Sequence, residues 1–451
     1  MLNKLKSVDQ KLSPGLRKII SNIGWLTIER LVMMLLSLFV GIYIVRYLGP
    51  DNYGKLSYSI SFAGLFNAIA RLGLNQIVIR NLVKEKQSTQ EILGTAFVLR
   101  LISSVITVLI IGICIWSFNS DPQIRWMTLI IAIGLIFDAF DTIDFWFQSQ
   151  VLSRPMAIVR SAKLILTAGV KLLFIVGQYP LIAFAWVYMS EMVLKAIGMT
   201  WVYYKHHQSI FHWRVNWSKA KELLKDSCPL ILSSVMIIIY MRIDQVMLGN
   251  LANNEAVGNY AAAVKFSEIC YFLPTAICSS VFPAIIRAKQ RSGQEYDSKL
   301  QQLYDLIAWL SLAVAIPMTL FANTLMPTIL GQEYASAGAI LTLHIWACPF
   351  VFLGVARSRW LVAENFTQFS LATTSLGALT NILLNLYLIP VYGGVGAALA
   401  TVISYAVSSH VACILYPPMF NNGLMLTKAL FVPLRLRQNL IYFKHIKKTL
   451  L

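Results

Sequence analysis

Charge is what this chain has least of. Asp, Glu, Lys and Arg make up 13% of its 451 residues, while 57% are hydrophobic. A soluble domain carries about 25% charged residues. The deficit, with a mean hydropathy of +0.65, excludes a water-soluble globule and makes the lipid bilayer the expected solvent. Acidic residues are the scarcer sign, 20 against 38 Lys and Arg, for a net charge of +18. The six cysteines (Cys114, Cys228, Cys270, Cys278, Cys348 and Cys413) all sit in apolar segments, with no paired or metal-type spacing. They read as packed thiols rather than a disulfide framework or a metal site. No P-loop, nucleophile elbow or zinc-binding spacing occurs, so neither an enzyme nor a resident cofactor is expected. The opening MLNKLKSVDQKLSPGLRK lacks a short apolar run with a small-residue cleavage site. It reads as a basic cytoplasmic tail over residues 1–21.

What the chain has instead is long apolar runs. A hydrocarbon core of about 30 Å needs about 20 residues of helix, and twelve segments qualify: Asn22–Val45, Leu56–Ile77, Ile92–Phe118, Trp126–Phe147, Met156–Gly177, Leu181–Tyr204, Ser227–Leu248, Tyr260–Ile285, Ile307–Leu330, Ala337–Val355, Leu371–Leu388 and Gly396–Tyr416. The expected fold is an all-α integral membrane protein. Its second and eighth spans are rich in Ser, Gly and Ala, which let helices approach closely. Alternate connections differ sharply in charge. With the N-terminal tail inside, the outer loops and flanks hold only Arg46, Lys55 and Arg125 of the 38 basic residues. The positive-inside rule then places both termini in the cytoplasm.

One phrase occurs twice. The stretch RYLGPDNYGKLSYSISFAGL, from Arg46, is paraphrased by VMLGNLANNEAVGNYAAAVKFSEI over Val246–Ile269, which sets Gly49 on Gly249 and Gly54 on Gly258. Tight-turn chemistry alone is the duller account, since Gly and Asn relieve strain in turns anywhere. Position, orientation and the small-residue helix that follows favour a duplication. Residues 22–204 and 227–416 then form two parallel six-helix halves around a central cavity, joined by a cytoplasmic linker, 205–226, and followed by a basic amphipathic tail, 417–451. That is the layout of transporters whose halves rock around a site between them. Beside a membrane, the tail is expected to meet anionic lipid headgroups rather than nucleic acid.

An ionisable group inside a span costs about 3 kcal/mol on insertion scales and usually faces a cavity or a partner. The basic ones are Arg30, Arg71, Arg100, Arg160, Lys163, Lys171, Lys195, Arg242 and Lys265, and the acidic ones Glu29, Asp138, Asp141, Asp144, Glu191, Asp244 and Glu268. Most of the cations fall in the first half, which suits an anionic cargo. Asp138, Asp141 and Asp144 recur every third residue and stay within about a third of a helix circumference. They either neutralise Arg160 and Lys163 on the next span, or one of them binds a coupling proton or sodium ion. Arg242 and Asp244 point to different sides of a helix, as do the adjacent Glu29 and Arg30. Lys265 and Glu268, three apart, are placed to pair with each other or to gate. Arg100, Lys171 and Lys195 read as snorkelling or locally paired, and His344 and His410 as packed polar groups. The candidate cargo contacts are Arg30, Arg71, Arg160, Lys163, Arg242 and Lys265. The candidate coupling or gating groups are Glu29, Asp138, Asp141, Asp244 and Glu268.

The runs RYLGPDNYGKLSYSISFAGLFNAIARLGLNQIVIR and MRIDQVMLGNLANNEAVGNYAAAVKFSE, with YFLPTAICSSVFPAI and YGGVGAALATVIS, resemble the polysaccharide transporter family over essentially the whole chain. These are the Wzx-type flippases of the multidrug, oligosaccharidyl-lipid and polysaccharide exporter superfamily. FWFQSQVLSRPMAI departs from the family's aromatic-Phe-Gln-Gly-x-Glu stretch, with Ser149 where Gly is usual and Val151 in place of Glu. The resemblance implies flipping of undecaprenyl-pyrophosphate-linked oligosaccharide repeat units (O-antigen, capsule or exopolysaccharide) from the inner to the outer leaflet of the bacterial cytoplasmic membrane. It also implies a polysaccharide polymerase and a chain-length regulator as partners. In related lipid II flippases an arginine, and a glutamate three residues later, both on the eighth span, line the central cavity; Lys265 and Glu268 match, with Lys for Arg. A drug or metabolite exporter would share the architecture, but usually pairs an acidic residue with an aromatic pocket. A lipid II flippase typically carries two further spans, and a polymerase or ligase a large basic outer loop.

Overall fold

The computed structural model describes residues 14–435, and every regular element in that range is helical. Most residues of each apolar segment are helical, but Leu56–Ile77 is broken at Phe66 and at Leu72–Gly73, and Ala337–Val355 at Ile345–Trp346. Among the described residues, eight helices are long and apolar enough to cross a membrane by length and composition, or nine if one bent pair counts as a single span. The basic tails lie partly outside the described residues.

The chain divides into two compact units. One takes in the chain up to Tyr47 and Phe66–Ile231, the other Leu48–Leu65 and everything from Leu232. The first holds the start of α1 (Pro14–Leu65), α2 (Asn67–Arg71), α3 (Leu74–Lys84), α4 (Thr89–Phe118), α5 (Pro122–Phe137), α6 (Asp141–Ser149), α7 (Ser153–Val176), α8 (Leu181–Lys205) and the start of α9 (Trp217–Leu251). The second holds the remainder of α1 and α9, then α10 (Asn254–Glu268), α11 (Phe272–Lys289), α12 (Gly293–Leu330), α13 (Ala335–His344), α14 (Ala347–Ala363), α15 (Thr367–Ala406), α16 (Ala412–Leu415) and α17 (Phe420–Leu430).

Several connections are built from capping residues rather than loops. At Gly49 (φ 69°, ψ 170°) the first helix stops, and Pro50 starts the next with its φ already set. A second glycine break occurs in α15 at Gly393 (φ 54°, ψ −130°), with no proline after it. Asp121 caps α5 by accepting from Gln123 N at 2.8 Å, with Pro122 in the first turn. Asn253 caps α10 by accepting from Ala256 N at 2.8 Å. These caps satisfy amides that a helix end would otherwise leave bare.

In the first unit, Leu74, Ile77, Val78 and Leu82 make a helical stripe on α3. It packs against Ile92, Leu93 and Ala96 of α4, Phe145 of α6 and Leu223 of α9. The 205–226 connection is docked on this unit rather than free. Arg214 N donates to Gln90 O, Asn216 Nδ2 to Glu91 Oε2, and Lys219 pairs with Glu85 at 2.7 Å. A side chain at Gly94 would collide with the Arg214 backbone, its Cβ 2.4 Å from the carbonyl oxygen.

In the second unit, the glycines of the repeated phrase meet each other. A Cβ at Gly54 would lie 1.8 Å from the Asn254 carbonyl oxygen, and one at Gly258 would lie 1.9 Å from that of Pro50. Alongside this crossing, Tyr58 Oη donates to Asn250 Oδ1 at 3.0 Å and Ser61 Oγ to Gln245 Oε1 at 2.7 Å. Gly249 leaves room for the Tyr58 ring. The close backbone approach thus falls just before the second and eighth apolar segments, at residues 50–54 and 254–258.

Candidate functional site

Asp138 in the first unit and Asp244 in the second are each the centre of a buried polar cluster. In the first, α5 tightens into a single 3-10 turn at Asp138–Phe140 before α6 begins. The turn brings Asp138 and Asp141 to the same partners. Asp138 is 1% exposed. It takes Arg71 Nη2 at 3.1 Å and Lys195 Nζ at 2.6 Å. Lys195 also reaches Asp141 at 2.9 Å, and Arg100 Nη2 lies 3.7 Å from the same carboxylate. Arg100 is fully buried over the Phe145 ring, and its guanidinium nitrogens have no hydrogen-bond acceptor. Three cations thus share two carboxylates. Arg71 remains half exposed while it holds Asp138.

The third aspartate stands apart. Asp144 takes Arg160 at 3.3 Å and Gln148 Nε2 at 3.0 Å. Lys163 turns to Glu191 at 3.6 Å, which Lys171 also holds at 2.5 Å. Of the expected neutralisation of Arg160 and Lys163 by the aspartates, the Arg160 pair is realised and Lys163 has another partner. Helix spacing could not supply α8 as the source of Glu191 and Lys195. Glu29 accepts a hydrogen bond from Ser161 Oγ. Arg30 lies on α1, with its side chain outside the described residues.

In the second unit the central carboxylate has neutral company. Asp244 of α9 is 3% exposed and accepts from Tyr260 Oη (2.7 Å), Thr401 Oγ1 (2.8 Å) and Asn385 Nδ2 (2.6 Å). Asn385 also donates to Asn381 Oδ1 at 3.0 Å. Asn385 Oδ1 and Asn381 Nδ2 are buried without partners. Amide orientations are assigned from such networks, and turning Asn385 over would aim its oxygen at Asp244. The ring of carboxylate, hydroxyl and amide groups then offers oxygens suited to a hard cation, or to a proton. Among the described residues, no group of three or more His, Cys, Asp or Glu converges as a metal site. Lys265 and Glu268 make no contact ion pair with each other; Glu268 lies instead in the field of Arg242 and Asp244. His344 packs edge-on to Tyr260, with centroids 6.0 Å apart.

Sequence reasoning named both central carboxylates but missed Tyr260, Asn381, Asn385 and Thr401. Asn381 and Asn385, four apart inside an apolar run, were the available signal. It also left out Arg357, which is buried and bonded to the Ser408 carbonyl at 2.8 Å, where α15 passes into a π turn at Val407–Val411.

Comparison with known proteins bears on the family and the fold. The family model described as "Polysaccharide biosynthesis protein" matches residues 19–289, and that for MatE matches residues 229–387. A probable low-salt glycan biosynthesis flippase, Agl15 of Haloferax volcanii, is 23% identical over 82% of this chain and 78% of its own length. The capsular polysaccharide biosynthesis protein CapF of Staphylococcus aureus is 19% identical over 86% of this chain and 97% of its own. Among solved structures, the inward closed conformation of the lipid II flippase MurJ aligns with a TM-score of 0.66 at 16% identity, covering 90% of this chain and 91% of that one. An inward-facing multidrug resistance MATE transporter aligns at 0.64 and 15% identity, covering 88% and 95%. These structural likenesses show a shared fold, and the helices show a multi-pass membrane protein. The matched family covers more than half of the sequence, so the chain belongs to the polysaccharide biosynthesis protein family, within the multidrug, oligosaccharidyl-lipid and polysaccharide exporter superfamily.

Proposed function

We propose that this protein is a flippase that carries polyprenyl-pyrophosphate-linked oligosaccharide repeat units from the cytoplasmic to the outer leaflet of a bacterial cytoplasmic membrane. The observation that carries the reading is the cation excess buried among apolar helices, where Arg71, Arg100 and Lys195 face only Asp138 and Asp141. A pyrophosphate needs such compensation, and a guanidinium binds phosphate oxygens in a fork. Arg71 is half exposed, so it can take a phosphate oxygen without leaving Asp138. Arg30, Arg160, Lys163, Arg242 and Lys265 are the further cations proposed to meet the cargo. Of these, Arg242 and Lys265 break no contact ion pair in doing so. Twelve spans with both termini in the cytoplasm, working as two rocking halves, complete the reading. Polymerase and chain-length regulator are its expected partners. The relatives described as flippases, and the glycan and polysaccharide pathways in their names, support the cargo class.

The test uses a strain lacking the gene, with inverted and intact vesicles probed by a sugar-specific lectin. The lipid-linked oligosaccharide should accumulate on the cytoplasmic leaflet and be released by the intact gene. Arg242→Ala and Lys265→Ala should each slow flipping by about 10- to 100-fold at unchanged protein level, the worth of one charge-assisted hydrogen bond. The MatE match favours a second reading, a drug or metabolite exporter. Normal surface polysaccharide with altered tolerance to cationic drugs would establish that instead.

For coupling, the proposal places the proton or sodium ion at Asp244, with Asn381, Asn385 and Thr401 as its neighbours. Asp138, Asp141, Glu29 and Glu268 act as gates that exchange partners as the cargo passes. Asp244→Asn keeps the shape and loses the charge. Flipping in proteoliposomes should then proceed at the same rate with and without an imposed sodium or proton gradient. A variant that still accelerates with the gradient would move the coupling ion elsewhere.

A further inference from the structure

The outer face of α8 carries a feature that the charge cluster does not use. Val193, Ala196, Ile197, Thr200, Trp201 and Tyr204 fall at helical spacing on one stripe, and with Phe137 and Phe140 they line a groove of about 450 Å³. That is within the range of roughly 300–1,000 Å³ typical of ligand clefts. The groove exists because Ala196 and Thr200 are small where the stripe's larger members stand up on either side. Ile197, Trp201 and Tyr204 are exposed at 60%, 57% and 74%. The polar groups of the lining are few: the Thr200 and Tyr204 hydroxyls and the Trp201 indole N–H.

Two charged features fix what fits there. Lys205 Nζ stands 3.8 Å above the Trp201 ring, which puts a cation at the groove's end. At the other end, Phe137 and Phe140 flank Asp138, and Val193 and Ala196 flank Lys195. The groove's wall is thus the back of the turns that hold the Arg71–Asp138–Lys195–Asp141 cluster. On the positive-inside orientation, Lys205 marks the cytoplasmic end of α8, so the groove opens in the leaflet where cargo would load. An apolar chain running between one cation at the interface and a cation-rich cluster within is complementary to a lipid with a long hydrocarbon chain and a phosphate head.

We infer that this groove is a docking site for the polyprenyl chain of a lipid-linked phosphate, holding the chain in the membrane beside the site that handles the head. The cargo and the leaflet rest on the flippase reading; the groove's preference for a polyprenyl chain is tested apart from it. In the first measurement, full-length wild-type protein is reconstituted with undecaprenyl phosphate bearing a diazirine. Labelling is expected on Ile197, Trp201 or Tyr204, competed by unlabelled undecaprenyl phosphate but not by phosphatidylglycerol. Equal competition by phosphatidylglycerol would mean an ordinary annular lipid and overturn the inference, as would labelling confined to other helices. The second measurement compares one oligosaccharide pyrophosphate on an undecaprenyl or a geranyl chain. Ala196→Phe and Thr200→Phe, which fill the groove, should slow the long-chain cargo to the rate of the short-chain one and leave the latter unchanged. Equal slowing of both cargoes, or of neither, would sink it. A wild-type protein that moves neither cargo yet gives the selective labelling would refute the transport reading and leave the groove standing.

Discussion

Asp138→Ala is expected to cost about 3–5 kcal/mol of stability, the usual result of deleting one partner of a buried ion cluster. The carboxylate holds Arg71 at 3.1 Å and Lys195 at 2.6 Å while 1% exposed, so its removal leaves those cations with only Asp141. Arg100, fully buried and without a hydrogen-bond acceptor, would keep Asp141 but lose the smaller share of the negative field that offsets its burial. Thermal unfolding of detergent-purified protein, followed by fluorescence-detected gel filtration, should show a large drop or no recoverable fold. Removing Lys195 as well should restore part of the loss, because fewer charges are then left without a counterion. Asp144→Ala serves as the contrast. Its partner Arg160 is half exposed, and partly solvated pairs of this kind are worth about 0–1 kcal/mol. Equal losses at Asp138 and Asp144 would show that the buried cluster carries no special weight.

The second large effect is steric. Gly54→Leu and Gly258→Leu should each prevent the protein from accumulating in the membrane. Overpacking a tight contact usually costs about 1–3 kcal/mol. Here a Cβ would stand 1.8 or 1.9 Å from a backbone carbonyl oxygen, so relief requires moving a helix rather than a side chain. Even Gly54→Ala should be poorly tolerated. Gly64, on the same helix, has nothing within 4 Å of its would-be Cβ. There, Gly64→Ala should be neutral or stabilising, since alanine is favoured over glycine in a helix by about 1 kcal/mol. Membrane levels of fluorescent fusions would separate the cases. Wild-type amounts of Gly258→Leu would mean that the crossing is not needed for the fold.

The helices were readable from the sequence because each apolar run is long and bounded by Gly, Pro, Asn or charge. The carboxylates at the centres of both clusters were readable because a charge in a span has few innocent explanations. Their partners were not. Spacing along one helix says which residues share a face, but not which helix lies alongside, so Lys195 and Glu191 of α8 could not be matched to Asp138 and Lys163. Tyr260, Asn381, Asn385 and Thr401 escaped because a neutral polar residue in an apolar run is common and cheap. The 3-10 turn that lets Asp138 and Asp141 share Lys195 also left no mark in the composition. The repeated phrase was visible as a repeat, yet nothing in it indicated that Gly54 and Gly258 would lie against each other.

The capped turns have a consequence for anything that would take hold of this protein. Where Gly49 and Pro50 pass one helix directly into the next, and only two or three non-helical residues lead into the helices that Asp121 and Asn253 cap, a protease finds little extended chain to thread. An antibody finds no loop to grip. An epitope tag inserted at one of these points would have to unwind a helix to make room. The docked 205–226 connection, with a 3-10 turn over Ile210–His212 and Phe211 fully turned out to solvent, is the more promising place for a handle.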